Sequence, residues 1–229
     1  MKQKESKTRK AERRADPEAG FSVLELMMVT IITFIACGFA VIRLAPAWQQ
    51  LQANTAMSQV KSALRQARET AISQRRTILV QFIKATAGTS CSPTGNVTTC
   101  VALTQMVVTA GTPDTQAPAA APFAIIPLEP NVQLLSFAGE PDTPDGFVGQ
   151  APNAPNGLFS GGAAQAVPTA LGALQFQSDG TFTNGVVNPI NFTIFLGEPN
   201  IPSTARAVTV LGNTGKVTGY AGSGSAWFQ

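Results

Sequence analysis

The chain contains no histidine among its 229 residues, and only 13% of them are charged. Without histidine, a Ser-His-Asp triad is excluded, and so are zinc sites with imidazole ligands. The sequence also lacks a Walker or dinucleotide glycine loop leading into a helix, and a nucleophile elbow in its strand-turn-helix context. These absences indicate a protein that is not an enzyme and that holds no metal or cofactor.

A long apolar run, residues 21–42, dominates the amino-terminal part of the chain. Its 22 residues are enough to span a bilayer, for which about 20 are needed. One acid, Glu25, interrupts the run, and a carboxylate costs about 2.5 to 3.5 kcal/mol at the bilayer centre. Because Glu25 lies one turn into the expected helix, we expect it to meet a positive charge near a helix start, its own or a neighbour's.

The leader before this run, residues 1–20, is basic. It holds seven Lys/Arg against four Asp/Glu, a net charge of +3, and positive residues before a span keep that end in the cytoplasm. An ordinary secretory signal would have a shorter apolar core, followed by small residues at the cleavage site. Here the small residue Gly20 precedes a longer run. The pattern predicts a single-pass protein of the inner membrane whose remaining chain lies in the periplasm.

The junction of leader and run resembles the class III signal of type IV prepilins and type II secretion pseudopilins. The matching residues are Gly20, Phe21, the apolar stretch 22–24, Glu25 and the apolar stretch 26–29. The resemblance implies that a prepilin peptidase cuts between Gly20 and Phe21 and that Phe21 is then N-methylated. It implies that Glu25 pairs with the terminal amine of a neighbouring subunit. It also implies other pilin or pseudopilin subunits, an inner-membrane assembly platform and membrane lipid as partners.

A second helical pattern follows Pro46. Apolar residues recur there every three or four positions, which predicts an amphipathic helix; they are Met57, Val60, Leu64, Ala67 and Ala71. We expect a single stem helix within 21–76, with a kink near Pro46 because proline removes a helical hydrogen bond. The apolar stripe is expected to pack on the protein's own β-sheet, with a coiled coil to a partner as the alternative.

Beyond residue 76 the sequence changes to β-branched segments separated by glycine turns, which is typical of strands. We expect strands at 77–83, 100–108, 123–128, 132–137, 174–176, 190–195 and 206–211. Two stretches rich in Pro, Gly and Ala, 111–122 and 139–168, are expected to be loops or insertions. The predicted fold class is α+β and pilin-like: a long amino-terminal helix, transmembrane in its first half, packed on an antiparallel β head over 77–229.

The closing segments, 174–181 and 206–217, resemble the end of the GspH/FimT pseudopilins. In that pattern a strand ending in an Asp-Gly turn precedes an Arg-led strand, a Gly turn and a last short strand. FimT-like minor pilins of competence systems have a basic tail there that is implicated in DNA binding. The matching positions in this chain are Gly215, Lys216, Val217 and Thr218, and no arginine follows Arg206.

The distribution of charge bears on both DNA binding and assembly. Residues 43–76 hold six Lys/Arg against one acid, a net charge of +5, whereas residues from 77 onward hold three against seven, a net charge of −4. An acidic head loses the main energy term for binding phosphates, which comes from Lys/Arg contacts and counterion release. A basic stem and an acidic head suit head-to-stem contacts between stacked copies.

Three cysteines fit an oxidising compartment. Cys91 and Cys100 would close a short loop between the first two expected strands, and a disulfide between them is expected in a periplasm. Cys37 lies in the apolar run, where cysteine behaves as a small apolar side chain. Two thiols without histidine do not make a zinc site.

These features predict a minor pilin or pseudopilin subunit that is processed by prepilin peptidase. It would be assembled into a type II secretion pseudopilus or a related type IV pilus and would support protein secretion or pilus biogenesis. The alternative is a FimT-like competence minor pilin that binds DNA during uptake. A signal-anchored periplasmic domain that never polymerises is a third hypothesis, which leaves Glu25 without a role.

Overall fold

A computed structural model gives the fold. It describes residues 22–84, 99–109, 112–137, 141–146, 158–160, 163–164, 174–185, 188–222 and 226–229. The chain divides into two compact units, Met1–Ala45 and Pro46–Gln229.

The stem is a single helix, α1, over Val23–Gln74; the sequence predicted a helix from about residue 21 to residue 74 within the stem segment 21–76. Pro46 lies inside it, at the boundary between the two units. Among the described residues no single helix is long and apolar enough to cross a membrane. The stretches Val23–Phe39 and Leu44–Gln74 are long and apolar enough for a membrane span only when they are taken together as a bent pair. The transmembrane first half therefore stays a prediction.

The helix ends in a left-handed turn. Arg75 has φ of 51°, its N–H bonds to the Ile72 carbonyl, and the N–H of Arg76 reaches back to the Ala71 carbonyl. This pattern closes the last turn as a Schellman motif does, with arginine in the position that usually holds glycine. The chain can then enter the first strand immediately.

Strands make up most of the head. In chain order they are β1 Ile78–Lys84, β2 Thr99–Thr109, β3 Thr112–Pro118, β4 Ala124–Pro127, β5 Gln133–Leu134, β6 Leu158–Ser160, β7 Ala163–Ala164, β8 Leu174–Phe176, β9 Phe182–Thr183, β10 Phe192–Glu198, β11 Ile201–Leu211, β12 Lys216–Gly222 and β13 Trp227–Phe228.

These strands form two antiparallel sheets. The first has the order β3-β2-β1-β8-β9, with β4 also paired to β2, and the second has the order β13-β12-β11-β10-β6-β7, with β5 also paired to β10. The strand β9 connects the two sheets, because Phe182 donates to the Gly212 carbonyl and accepts from the N–H of Ile190. The predicted α+β class, a long amino-terminal helix on antiparallel sheets, is confirmed; the head holds two sheets rather than one.

The main core lies between the second half of α1 and both sheets. The helix contributes small side chains with no exposed surface, namely Ala53, Ala56, Val60, Ala63, Leu64, Ala67 and Ala71. The sheets contribute the bulk, including Phe82, Phe176, Phe182 and Phe192. The ring centroids of Phe176 and Phe182 are 4.8 Å apart. The predicted packing of the stripe on the protein's own sheet is confirmed, and the coiled-coil alternative is wrong for this stripe because its surface is already buried.

Two of the predicted loop regions contain strands, which corrects the sequence prediction. Within 111–122 the segment Thr112–Pro118 forms β3, and within 139–168 the short strands β6 and β7 pair with each other. The sequence prediction took this segment for a loop because it contains prolines. Among the described residues, however, β3 lies at the edge of its sheet. An edge strand tolerates proline because one side of it needs no N–H donor.

Candidate assembly segment and its attachment to the head

Glu25 lies in the first turn of α1, on a helix surface that is otherwise apolar. Its side chain is exposed, as are all its neighbours over 22–39. No hydrogen bond or ion pair engages its carboxylate among the residues that the structure describes. A carboxylate near a helix start is favourably placed in the field of the helix dipole, since the first turn carries a partial positive charge.

The apolar surface around Glu25 is extensive and uncovered. Large side chains along Val23–Phe39 are between 55% and 79% exposed, with Phe34 the most exposed. The hydroxyls of Thr30 and Thr33 bond to the carbonyls of Met27 and Val29, at 2.8 and 2.7 Å. Each threonine therefore satisfies its own hydroxyl within the helix, and the segment presents Glu25 as its single charged group.

Several predicted site residues fall outside the described residues. Gly20 and Phe21, the expected cleavage and methylation positions, are among them, and so is Cys91. Cys100 is fully buried in β2, and Cys37 is exposed and free. The Cys91–Cys100 disulfide thus stays a prediction, as do cleavage and methylation.

The stem is attached to the head by a buried arginine. Arg206, in β11, is only 5% exposed. Its Nε donates to Oδ1 of Asn54 on α1 at 2.7 Å, and its Nη1 donates to the carbonyls of Ser203 and Ala205. Burial lowers the pKa of Arg206. Sequence reasoning identified Arg206 as the start of a strand but missed this contact with the helix.

Two glycines let long basic side chains of the helix lie flat on β12 and its preceding turn. A Cβ at Gly219 would meet Cδ of Lys61 at 2.6 Å, and one at Gly215 would meet Cδ of Arg68 at 2.9 Å. Part of the basic stem surface is therefore used for packing its aliphatic stems on the head. The stretch 215–218 contributes the single cation Lys216.

A smaller core on the outer face of the second sheet was also missed. It consists of Phe195, Ala205, Ala207, Tyr220 and Trp227, with Phe137 against it. The segment 141–146 covers it. The indole Nε1 of Trp227 donates to the Pro141 carbonyl at 2.8 Å, and the Tyr220 hydroxyl donates to Oδ2 of Asp145 at 3.3 Å.

Titratable side chains form no catalytic cluster in the described part of the chain. No group of three or more His, Cys, Asp or Glu side chains that could hold a metal occurs there. Asp179 has a lowered pKa because the Thr181 hydroxyl and N–H donate to it, which stabilises the Asp-Gly turn between β8 and β9. The contacts of Arg206, Gly215 and Gly219 attach the second half of the stem helix to the packed head.

Comparisons with known proteins give a distant similarity. No protein-family model and no curated protein sequence matches the chain. Among solved structures it is similar to the crystal structure of the type IV minor pilin FimU from Pseudomonas aeruginosa (strain PAO1). The identity is 17%, with 77% of this chain and 92% of the FimU chain covered, and the TM-score is 0.39.

Proposed function

We propose that the chain is a minor pilin or pseudopilin subunit. It is processed between Gly20 and Phe21, held in the inner membrane by residues 21–42, and assembled with other subunits into a type II secretion pseudopilus or a type IV pilus. The observation that supports this function best is Glu25, a lone exposed carboxylate on a helix surface that is otherwise apolar.

The proposal gives Glu25 a partner. A carboxylate in apolar surroundings is costly unless a cation neutralises it. Cleavage after Gly20 creates a positive amine on Phe21, four residues before Glu25 and on the same side of a helix. Docking of the new amine of one subunit with Glu25 of the next would remove both charges from unfavourable surroundings. Processing would thus be required before assembly.

The uncovered apolar surface is explained by the same proposal. Before assembly the bilayer would cover the side chains of Val23–Phe39, and in the filament neighbouring helices would cover them. The internal hydrogen bonds of Thr30 and Thr33 suit such surroundings, because a hydroxyl without water needs a partner within its own helix. A helix of a soluble domain would normally bury such a face in its own core.

DNA binding gains no support as a second function. Arg206, the one arginine of the head, is buried and hydrogen-bonded to the stem. The strand β12 offers Lys216 alone, whereas non-specific affinity for DNA needs several phosphate contacts.

The decisive experiment separates insertion from assembly. Glu25→Leu removes the carboxylate, and Glu69→Gln, on an exposed part of the stem, is the matched control that removes one acid elsewhere. We expect Glu25→Leu to insert and to lose its leader like the wild type, because losing the charge favours insertion. It should fail to co-purify with partner subunits, since breaking a buried pair costs about 3 to 5 kcal/mol. Assembly of Glu25→Leu at wild-type level would refute the role of Glu25.

Processing is tested on the same preparations. Amino-terminal sequencing of the membrane-extracted protein should begin at methylated Phe21. Replacing Gly20 with leucine should leave the basic leader attached and should abolish co-purification as Glu25→Leu does, because the amine partner is never created. A mature terminus beyond Ile42 would contradict the whole assignment.

A further inference from the structure

A cleft of about 470 Å³ opens where the stem helix ends and β1 begins. The described part of its lining comes from the end of α1 with Arg75 and Arg76, from Thr77 before β1, and from Gln177 and Ser178 after β8. All of these residues lie in the unit Pro46–Gln229. The cleft therefore belongs to one compact unit, and we call it the arginine cleft.

Hydrogen bonds hold the uncharged walls of the arginine cleft in place. The Thr77 hydroxyl donates to Oε1 of Gln177 at 3.0 Å, and Nε2 of Gln177 donates to the Thr183 hydroxyl at 3.3 Å. On the helix side, Nε2 of Gln105 donates to Oε1 of Gln74 at 3.0 Å. The walls are therefore already ordered before any partner arrives, which lowers the entropy cost of binding.

The positive charge of the cleft is not neutralised. Arg75 and Arg76 are exposed, and neither guanidinium forms an ion pair among the residues that the structure describes. Arg68, two turns before Arg75, lies against Gly180 in the turn that follows β8. Its Nε is buried and has no acceptor in the described part of the chain. Three cations thus border one turn, and their summed field attracts an anion.

Arg75 also keeps a side chain where glycine is usual. Its φ of 51° lies in the left-handed region, which is costly for a residue with a Cβ and free for glycine. The hydrogen bonds that close the helix use only the backbone N–H groups of Arg75 and Arg76. A side chain that the helix end does not need, at a strained position, indicates a role outside the fold.

The acid beside the cleft in the sequence is already engaged. Asp179 follows Ser178, and its Oδ1 accepts from the hydroxyl and the N–H of Thr181 at 2.7 and 2.9 Å. No ion pair joins Asp179 to an arginine within the described ranges. An anion for the cleft has to come from another molecule.

We propose that the arginine cleft binds carboxylates of an acidic segment on the head of an adjacent subunit. This inference rests on the proposed function, which brings subunits into contact. The planar guanidinium matches a carboxylate with two parallel hydrogen bonds, and the net charge of −4 from residue 77 onward shows that such a head can carry acids in excess. Nucleic acid fits less well, because its affinity grows with the number of phosphate contacts and two exposed arginines supply few.

Two pairs of substitutions change the net charge equally. Arg75→Gly with Arg76→Gln removes the cations of the cleft, and Arg65→Gln with Lys216→Gln removes two exposed cations outside it. Glycine relieves the positive φ, so Arg75→Gly alone should leave the midpoint of thermal unfolding unchanged or raise it by about 2 to 4 °C. A lower midpoint would show that the Arg75 side chain serves the fold and would overturn the proposal.

A fluorescent peptide of six glutamates is the direct probe, with six glutamines as its neutral counterpart. Anisotropy is measured on the full chain in uncharged detergent. We expect hexaglutamate to bind the wild type and the control pair, and to bind less at high salt because exposed charges are screened. The cleft pair should bind about tenfold more weakly, the loss expected for one charge-assisted hydrogen bond.

Two results of this titration would overturn the proposal. Equal binding of hexaglutamate by the wild type, the cleft pair and the control pair would exclude the arginine cleft as the site. A single-stranded oligonucleotide that binds more tightly than hexaglutamate, and loses affinity in the cleft pair, would identify nucleic acid as the occupant.

Cross-linking tests the contact between assembled subunits. A photoreactive amino acid at the exposed position 178 should cross-link to an adjacent subunit at a peptide that contains Asp or Glu, identified by mass spectrometry. The Arg75→Gly and Arg76→Gln pair should lose this cross-link, whereas the control pair should keep it. The same amino acid at position 213, exposed in the turn after β11, should not give this product.

Glu25→Leu, measured alongside, separates failure of the cleft from failure of the proposed function. Loss of assembly in Glu25→Leu, with the cross-link at 178 unchanged in the cleft pair, would refute the cleft and leave the proposed function intact. Wild-type assembly of Glu25→Leu together with an unchanged cross-link in the cleft pair would refute the role of Glu25 and the cleft together.

Discussion

Arg206 and Asn54, 152 positions apart in the chain, share a hydrogen bond of 2.7 Å that joins the second sheet to the stem helix. The guanidinium is almost entirely buried, and it donates to one side-chain amide and two backbone carbonyls. A charged donor buried in this way depends on each acceptor it has, because water cannot replace one that is lost.

Removing the acceptor should therefore cost more than removing an ordinary surface contact. We expect Asn54→Ala to lower the free energy of unfolding by about 1.5 to 3 kcal/mol, the range for hydrogen bonds to charged groups. In an Arg206→Met background the same change should cost close to nothing. Thr55→Ala, which loses only a bond to the Leu51 carbonyl of its own helix, is the control. Thermal unfolding of the detergent-solubilised chain measures the stability of the two single variants, the double variant and the control. If the losses of the two single variants add up in the double variant, the two side chains are not energetically coupled.

Gly215 and Gly146 form a matched pair for testing close packing at the turn before β12. Both have positive φ, 61° and 66°, so alanine should cost each about 1 to 2 kcal/mol of backbone strain. At Gly215 the added methyl would also overlap the Gly180 carbonyl and Cδ of Arg68, whereas at Gly146 it would meet nothing within 4 Å. We expect Gly215→Ala to cost about 1 to 3 kcal/mol more than Gly146→Ala, as overpacking does. Equal losses in stability would show that the turn can move away from the helix.

Tyr220 makes the stability of the fold depend on pH in the alkaline range. Burial, and then the nearby charge of Asp145, raise the pKa of Tyr220 above its ordinary value of 10.0. A group whose pKa is raised by folding contributes stability that is complete below pH 10 and is lost as pH rises through the folded pKa. Because the chain has one tyrosine, tyrosinate absorbance follows this group alone.

We expect the titration midpoint to lie above 10 in the folded chain and to return to the ordinary value on unfolding. Asp145→Asn should lower the midpoint without restoring the ordinary value, because burial is the larger cause. A folded chain that titrates at the ordinary value would show that the outer core opens to water.

The disulfide prediction is tested by mass spectrometry under non-reducing conditions. Cys91 should be joined to Cys100, and Cys37 should be free. Closing so short a loop should contribute about 2 to 3 kcal/mol through the unfolded chain, so Cys91→Ala should lower the free energy of unfolding whereas Cys37→Ala should not. Ready alkylation of both Cys91 and Cys100 without reductant would contradict the pairing.

Local patterns predicted much of this fold. The repeat of Val60, Leu64, Ala67 and Ala71 identified the buried face of the helix because helical periodicity is written in the sequence itself. The β-branched run of β1 and the Leu-Gln-Phe of β8 identified strands for the same reason. The strand β3 was missed because proline normally ends a strand, and only its position at a sheet edge makes it acceptable.

The features that the sequence did not predict are contacts between residues far apart in the chain. The burial of Arg206 was not predicted, since arginine is seldom fully buried, and nothing near it in the chain points to Asn54. The outer core of Tyr220 and Trp227 requires the segment 141–146, which has no periodicity of its own. Glu25 could be identified from the sequence because a single acid in an apolar run is visible without knowledge of any long-range contact.

The buried stripe of the stem also sets an order of folding. The apolar stripe packs against β1, which follows the helix directly in the sequence. It also packs in the same core with Ile194, Val208 and Val217, which lie well over a hundred positions later. Contacts so distant in sequence form slowly, because the loop they close must be ordered first. During synthesis the stem emerges long before β10 to β12 and has to wait for them with its apolar stripe uncovered. The head therefore completes its core only as the last third of the chain arrives.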